Sequence, residues 1–329
     1  MKLSYSVASA AIGMSLLFAP VQASAETLRF AHHHSVGGFI DKFATKFAEL
    51  VKEKTNGEVD VRIIPGGQLG QERELFDLIN NGGIDATFTS LGMMDTYYPA
   101  IVVTSYPFAF KSWEHASKAF NGEFGDRIKA GLKEKSNTEI VGWLENGFRD
   151  LIFRDAPVTK LADMKGVNMR SAESHTWIRM YELMGARPTP ITWGEIYLSM
   201  QTGVIAGFDS PAFAALDMKF NEVTKSLVKT NQMFAVGAIV VNKNKMATLT
   251  ESQQAAVTAA GNEAGIFINE TVMKPGADGA YKKMQEIGMT VVEPENPDEW
   301  RTAMLPLWDE LSAKYEGAGE LLKILQATE

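Results

Sequence analysis

The segment 26–89, ETLRFAHHHSVGGFIDKFATKFAELVKEKTNGEVDVRIIPGGQLGQERELFDLINNGGIDATFT, decides the fold class. Its first six residues alternate apolar and polar side chains as a half-buried strand does. Gly37-Gly38 then opens a stretch in which Phe39, Phe43, Phe47 and Leu50 recur at helical spacing. That stretch closes at the turn pair Asn56-Gly57. Val59, Val61 and Ile63 alternate with charged residues up to Pro65-Gly66-Gly67, a second helix carries Leu75 and Ile79 to Gly82-Gly83, and 84–89 is the next strand. Short strands alternating with helices of about 10–15 residues predict an α/β chain with largely parallel pairing.

The rhythm persists outward from this segment. Strands are predicted at 140–143, 151–153, 167–169, 204–208 and 234–241, and helices at 176–184 and 194–201. Thr250-Glu251-Ser252-Gln253 fits a capping box, and the helix it opens meets no strong breaker before Pro275-Gly276, long enough to brace two lobes. The tail 300–327 is helical with interruptions at Pro306 and 317–319. At 329 residues the chain suggests two domains, each burying its own core. No repeat, low-complexity tract or Pro/Ser linker separates them, so strands must cross from one lobe to the other.

Composition narrows the function. The chain is 45% hydrophobic and 22% charged, with 32 basic against 40 acidic residues and a net charge of −8. An acidic chain without a run of lysines and arginines repels a phosphate backbone, so nucleic acid is not an expected partner. With no cysteine there are no disulfides, thiolate metal sites or cysteine nucleophiles. Met1-Lys2, the apolar run 7–18 and Ala23-Ser24-Ala25 read as a secretory signal, residues 1–25, cut after Ala25. The apolar run of about a dozen residues is shorter than the ~20 a membrane span needs. A secreted chain with no cysteine for a lipid anchor is expected to diffuse freely in the periplasm.

Enzyme motifs are absent: G-x-S-x-G, H-E-x-x-H, a P-loop, an EF-hand loop and G-x-G-x-x-G do not occur. No cofactor is expected. His32-His33-His34 looks like metal chemistry, yet on a strand end only His32 and His34 share a face, and His115 and His175 lie far away in sequence, so no metal site is expected.

The middle of the chain carries a recognisable series: Leu144-Glu145-Asn146-Gly147-Phe148-Arg149, then Leu161-Ala162-Asp163-Met164-Lys165-Gly166-Val167-Asn168-Met169-Arg170, then Gly185-Ala186-Arg187-Pro188-Thr189-Pro190-Ile191-Thr192-Trp193-Gly194-Glu195-Ile196-Tyr197, then Gln201-Thr202-Gly203-Val204-Ile205-Ala206-Gly207. Pro65 to Arg73, Asn81 to Asp85 and Lys219 to Val223 fit the same pattern. This ordered set resembles the extracytoplasmic solute receptors of tripartite ATP-independent periplasmic (TRAP) transporters, the C4-dicarboxylate-receptor family. The resemblance implies a two-lobed periplasmic-binding-protein-like α/β fold with strands crossing a hinge and a long lobe-bridging helix. The expected division is 26–147 plus about 237–275 for lobe I and 148–236 plus about 276–329 for lobe II. It further implies a receptor, not an enzyme, that hands a small organic acid anion to the small and large integral-membrane TRAP subunits; the chain itself is expected to be a monomer.

Carried over by position, Arg170 matches the family's main carboxylate-binding arginine and Arg149 a second one. A guanidinium suits this role because its parallel N–H donors match both carboxylate oxygens and it stays charged when buried. Trp193 stands where Phe is common and can wall the ligand; Glu72 and Ser90 match positions that meet the distal end of ligands, and His33 and His34 fall where the first strand meets the cleft. Phe208-Asp209-Ser210-Pro211 departs from the usual Gln-Glu-Asn-Pro, so Ser210 replaces a carboxylate-holding asparagine, while Asp209 either accepts from ligand hydroxyls or pairs with an arginine. These polar positions favour a hydroxylated sugar acid, a hexuronate or aldonate, over a C4-dicarboxylate or an organosulfonate. A receptor that presents its ligand to a sensor remains an alternative, and a periplasmic enzyme using Glu72 or Asp209 as base ranks far below.

Overall fold

The computed structural model describes residues 25–328, so nearly all of the expected signal segment lies outside the described residues. The first half contains β1 (Glu26–Ala31), α1 (Phe39–Lys54), β2 (Val59–Ile64), α2 (Glu72–Asn80), β3 (Ala86–Ser90), α3 (Trp113–Phe120), α4 (Glu123–Lys135) and β4 (Thr138–Phe153). Then come β5 (Asn168–Ser171), α5 (His175–Leu183), β6 (Arg187–Pro190), α6 (Ile196–Thr202), β7 (Gly207–Ser210), α7 (Ala212–Asp217) and β8 (Ser226–Asn242). The chain ends with α8 (Lys243–Met246), α9 (Glu251–Ile268), α10 (Lys274–Glu286), β9 (Thr290–Val292), α11 (Pro297–Met304), α12 (Pro306–Lys314) and α13 (Ala318–Ala327).

Two long antiparallel strands organise the molecule. β4 and β8 pair from Thr138↔Asn242 to Phe153↔Ser226, and the strands run in the order β2-β1-β3-β8-β4-β7-β5-β6, with β9 beside β8. β3 joins β8 only at 237–241, whereas β7 joins β4 at 150–153 and β9 joins β8 at 226–228. Opposite ends of the same two strands therefore belong to different lobes, which is the crossing that the absence of a linker demanded. The pairing is mixed rather than largely parallel: β1–β2, β1–β3, β5–β6 and β5–β7 are parallel, but every pairing of the crossing strands with β3, β7 or each other is antiparallel. The segments 140–143 and 151–153 read as separate strands because β-bulges at 140/142, 145/147 and 149/151 break the alternation within the single strand β4.

The buried side chains form two clusters, and they follow the faces of the sheet rather than the lobes. One cluster joins Phe76, Ile101, Phe120, Tyr181, Trp300 and Leu325; the other joins Phe43, Ile196, Phe208, Val257 and Met284. Each draws on both ends of the crossing strands, so the expectation of one core per lobe does not hold. On the second face α9 lies almost in backbone contact with β4. A Cβ on Gly261 would fall 2.5 Å from the Val141 carbonyl oxygen, and one on Gly265 would fall 2.6 Å from that of Trp143.

The capping box is present: Thr250 Oγ1 accepts the Gln253 N–H and the Gln253 side chain accepts the Thr250 N–H. The helix does not stop at Pro275-Gly276. A π-helical turn at Asn269–Met273 widens the path, and Pro275 falls in the first turn of α10, where its missing N–H is tolerated. In the tail, α12 packs on α5 and on the 99–105 segment while α13 packs on α4. Trp308 Nε1 donates to the Pro107 carbonyl at 2.8 Å and Arg179 pairs with Glu310 at 2.9 Å, so the C-terminal helices straddle the two lobes. No helix among the described residues is long and apolar enough to cross a membrane.

Candidate ligand-binding cleft

The carboxyl ends of parallel strands converge between the lobes, the place where open α/β sheets bind ligands. Ser90 ends β3, His33 and His34 follow β1, and Arg170 lies near the end of β5. Together with Glu72, Arg149, Trp193, Phe88, Met93, Asn146, Ala172 and Trp177 they line one cavity. The cavity offers about 50 Å³ to water, well below the ~300 Å³ and more of a typical ligand pocket. A six-carbon acid therefore enters only when the lobes part. Arg73 holds them together at the mouth: it donates to the Met93 carbonyl, Asp95 and Thr96 on one side and, at 2.9 Å, to the Glu173 carbonyl on the other.

Arg170 is 5% exposed; its Nε donates to the Ile191 carbonyl at 2.7 Å and its guanidinium lies 5.8 Å from the Trp193 ring centroid. No carboxylate lies within ion-pair distance of it among the described residues. Burial, and then the neighbouring Arg149 charge, pull its pKa down to about 10, still protonated at neutral pH. Arg149 differs. Its Nε donates to Asp209 Oδ2 and its Nη2 to the Asp209 main-chain carbonyl, and it lies 5.7 Å from the Trp177 ring.

Asp209 has no exposed surface and does not line the cavity. Its carboxylate also accepts from Tyr181 Oη at 2.9 Å and Trp177 Nε1 at 3.3 Å. Burial alone would raise its pKa, but the Arg149 charge and hydrogen bond, with Tyr181, overcome this and hold it below the usual carboxylate range. Of the two roles open to Asp209 in the sequence, the structure has the arginine pairing. Ser210 is likewise fully buried, away from the cavity, and its Oγ donates to the Pro211 carbonyl at 2.9 Å. The other seven expected residues come together.

The opposite wall is built differently. Glu72, first residue of α2, accepts the Ser90 N–H through Oε1 at 2.5 Å. His33 and His34 both reach the cavity, 4.4 Å apart between ring centroids, because β1 ends at Ala31 and face alternation no longer applies beyond it. Burial lowers the pKa of both, that of His34 markedly, so both rings are neutral at neutral pH. His32 faces away and anchors the segment through Nε2 to Asp41 at 3.1 Å. Among the described residues no three His, Cys, Asp or Glu side chains are grouped to hold a metal. His33 Nδ1, His34 Nδ1, Asn146 Oδ1 and Trp193 Nε1 are buried without a protein partner.

Asn146, Trp177 and Tyr181 escaped the sequence reading. Trp177 and Tyr181 lie on the helix that directly follows β5, and the start of a helix after a parallel strand is the available signal. A larger depression of about 370 Å³ lined by Trp113, Phe148, Phe213, Lys229 and Tyr281 offers an anion little, because Lys229 is paired with Glu293 at 2.8 Å.

Two lobes joined by crossing strands around a closed, arginine-bearing cleft define a solute-binding protein of the periplasmic type. Residues 30–315 match the bacterial extracellular solute-binding protein family 7, and the chain belongs to that family. It is 32% identical over 98% of its length to a solute-binding protein of Sulfitobacter sp. NAS-14.1, covering 97% of that protein. It is 30% identical over 84% of its length to the 2,3-diketo-L-gulonate-binding periplasmic protein of Escherichia coli, covering 83% of it. Among solved structures, a TRAP periplasmic solute-binding protein of Sulfitobacter sp. NAS-14.1 with bound α-D-taluronate superposes with a TM-score of 0.84 at 30% identity, covering 92% of this chain and 97% of that one. Another from the same strain, with bound β-D-galacturonate, gives 0.87 at 25% identity, covering 92% and 100%.

Proposed function

We propose that this protein is a periplasmic receptor for a sugar acid, a hexuronate or aldonate, which it delivers to the two integral-membrane subunits of a TRAP transporter. The observation that carries the reading is Arg170: a buried guanidinium with no carboxylate partner among the described residues, in a cavity whose other walls hold unpaired imidazole, indole and amide atoms. An anion supplies the missing counter-charge and hydroxyls supply partners for the orphaned polar atoms. Relatives bound to galacturonate and taluronate, and one named for diketogulonate, support the same ligand class. Arg149 and Arg170 sit on lobe II, Glu72, Ser90, His33 and His34 on lobe I, so a bound acid favours the closed form by touching both. The chain reaches the periplasm through a cleaved signal at 1–25 and binds without converting its ligand.

A thermal-shift screen of ligand-stripped protein against uronates, aldonates, C4-dicarboxylates and sulfonates tests this. A ligand at about 100 times its Kd adds ~2.7 kcal/mol, a shift of several degrees. Shifts confined to sugar acids support the reading, and their absence refutes it. Mass spectrometry after long incubation should return the acid unchanged.

A further inference from the structure

We propose that the cleft is built for a single negative charge, with Glu72 as the residue that turns away diacids. The inference rests on the sugar-acid reading above and narrows it. Two arginines suggest room for two carboxylates, but only one is free. Arg149 spends its Nε and Nη2 on Asp209, whose carboxylate is sealed from solvent and further held by Tyr181 and Trp177. That pair is neutral as a unit. Arg170 donates to the Ile191 carbonyl, faces the Trp193 ring and has no ion-pair partner among the described residues, so it is the positive charge that the lobe II wall offers a ligand.

Among the described residues the facing wall offers no second cation. Glu72 projects there with no ion-pair partner among the described residues, its one hydrogen bond coming from the Ser90 N–H. Arg73, its neighbour in sequence, is fully engaged at the cleft mouth by Met93, Asp95, Thr96 and Glu173. His33 and His34 are buried and carry no charge at neutral pH, and Phe88 and Met93 complete the wall. An acid anchored on Arg170 directs its other end at Glu72. A hydroxyl can donate to that carboxylate and accept from a neutral imidazole, whereas a second carboxylate meets a like charge at close range. Like-charge juxtaposition across a binding site weakens binding by on the order of a hundredfold or more.

The test is isothermal titration calorimetry of the full chain with matched open-chain pairs that differ only in whether the far end is a hydroxymethyl group or a second carboxylate, galactonate against galactarate and gluconate against glucarate, with malate and a monosulfonate added. The wild type should bind a monoacid on the order of a hundredfold tighter than its diacid partner. In Glu72→Gln, where the amide oxygen still accepts the Ser90 N–H, the gap should close to about tenfold or less, with the melting temperature confirming a folded variant. Equal affinity for monoacid and diacid in the wild type, or a wild-type gap that Glu72→Gln leaves unchanged, overturns the proposal while the sugar-acid reading stands. Malate as the sole tight ligand overturns both. A monosulfonate as the sole ligand overturns the sugar-acid reading and supports the one-charge limit.

Discussion

Replacing Asp209 by Asn separates a counter-ion from a ligand contact. The side chain is isosteric, but the amide presents one acceptor where the carboxylate offers two oxygens to three donors: Arg149 Nε, Trp177 Nε1 and Tyr181 Oη. Arg149 would be left buried without compensation beside Arg170. Breaking one side of a buried ion pair costs ~3–5 kcal/mol, and at ~2–4 °C per kcal/mol for a chain of this size the melting temperature should fall by roughly 6–20 °C. An anionic ligand then supplies the charge that Asp209 supplied. Affinity for the sugar acid should hold or rise, and saturating ligand should recover part of the lost melting temperature. The gap between variant and wild type should also narrow in acid. Asp209 has a depressed folded-state pKa, so its stabilisation is full at neutral pH and is lost as pH falls through that value. Differential scanning calorimetry with and without ligand, from pH 7 downward, reads all three. A variant that melts within about 1 °C of wild type yet loses the ligand would refute the argument and return Asp209 to the ligand's hydroxyls.

Other perturbations address separate parts of the molecule. Arg170→Ala should weaken sugar-acid binding by a few kcal/mol, since it removes the cleft's unpaired cation, and Arg170→Lys should restore it only partly because the fork geometry is lost; titration calorimetry on both checks this. Asp150, buried on β4 and accepting from Tyr281 Oη at 2.7 Å and the Asn231 N–H at 3.0 Å, has its pKa raised by burial to about 7. A raised carboxyl pKa makes stability greatest in acid and erodes it up to about pH 7, so Asp150→Asn should flatten the fall in melting temperature between about pH 4 and 7. Gly261→Ala should destabilise by ~1–3 kcal/mol, because the new methyl meets the Val141 carbonyl; denaturant unfolding would show it, and an unchanged midpoint would contradict the close approach of α9 to β4.

Much of the architecture was legible locally. Phe39, Phe43, Phe47 and Leu50 mark the buried stripe of α1, Thr250 and Gln253 mark the start of α9, and Pro306 and Gly317 mark the interruptions of the tail, because capping, turn chemistry and helical periodicity are local properties. Of the nine residues singled out in the sequence, seven line the cavity between the lobes. Other features depended on partners distant in the chain. Three bulges hid the length of β4, and the antiparallel crossing of β4 and β8 follows from pairing residues 73 to 104 apart in the chain. The π turn that carries the helix past Pro275 likewise has no signature in its own composition.

Local pattern was enough to determine an α/β chain, since capping, turns and periodicity set element type, and the resemblance of its ordered motifs to a receptor family implied two arginines for an anion. Only the tertiary structure decided how many of those charges are free. Arg149 and Arg170 are alike in sequence, but β7 brings Asp209 against one and leaves the other facing the cleft with a lone carbonyl, so burial and pairing across strands, not residue identity, set the net charge that a ligand meets.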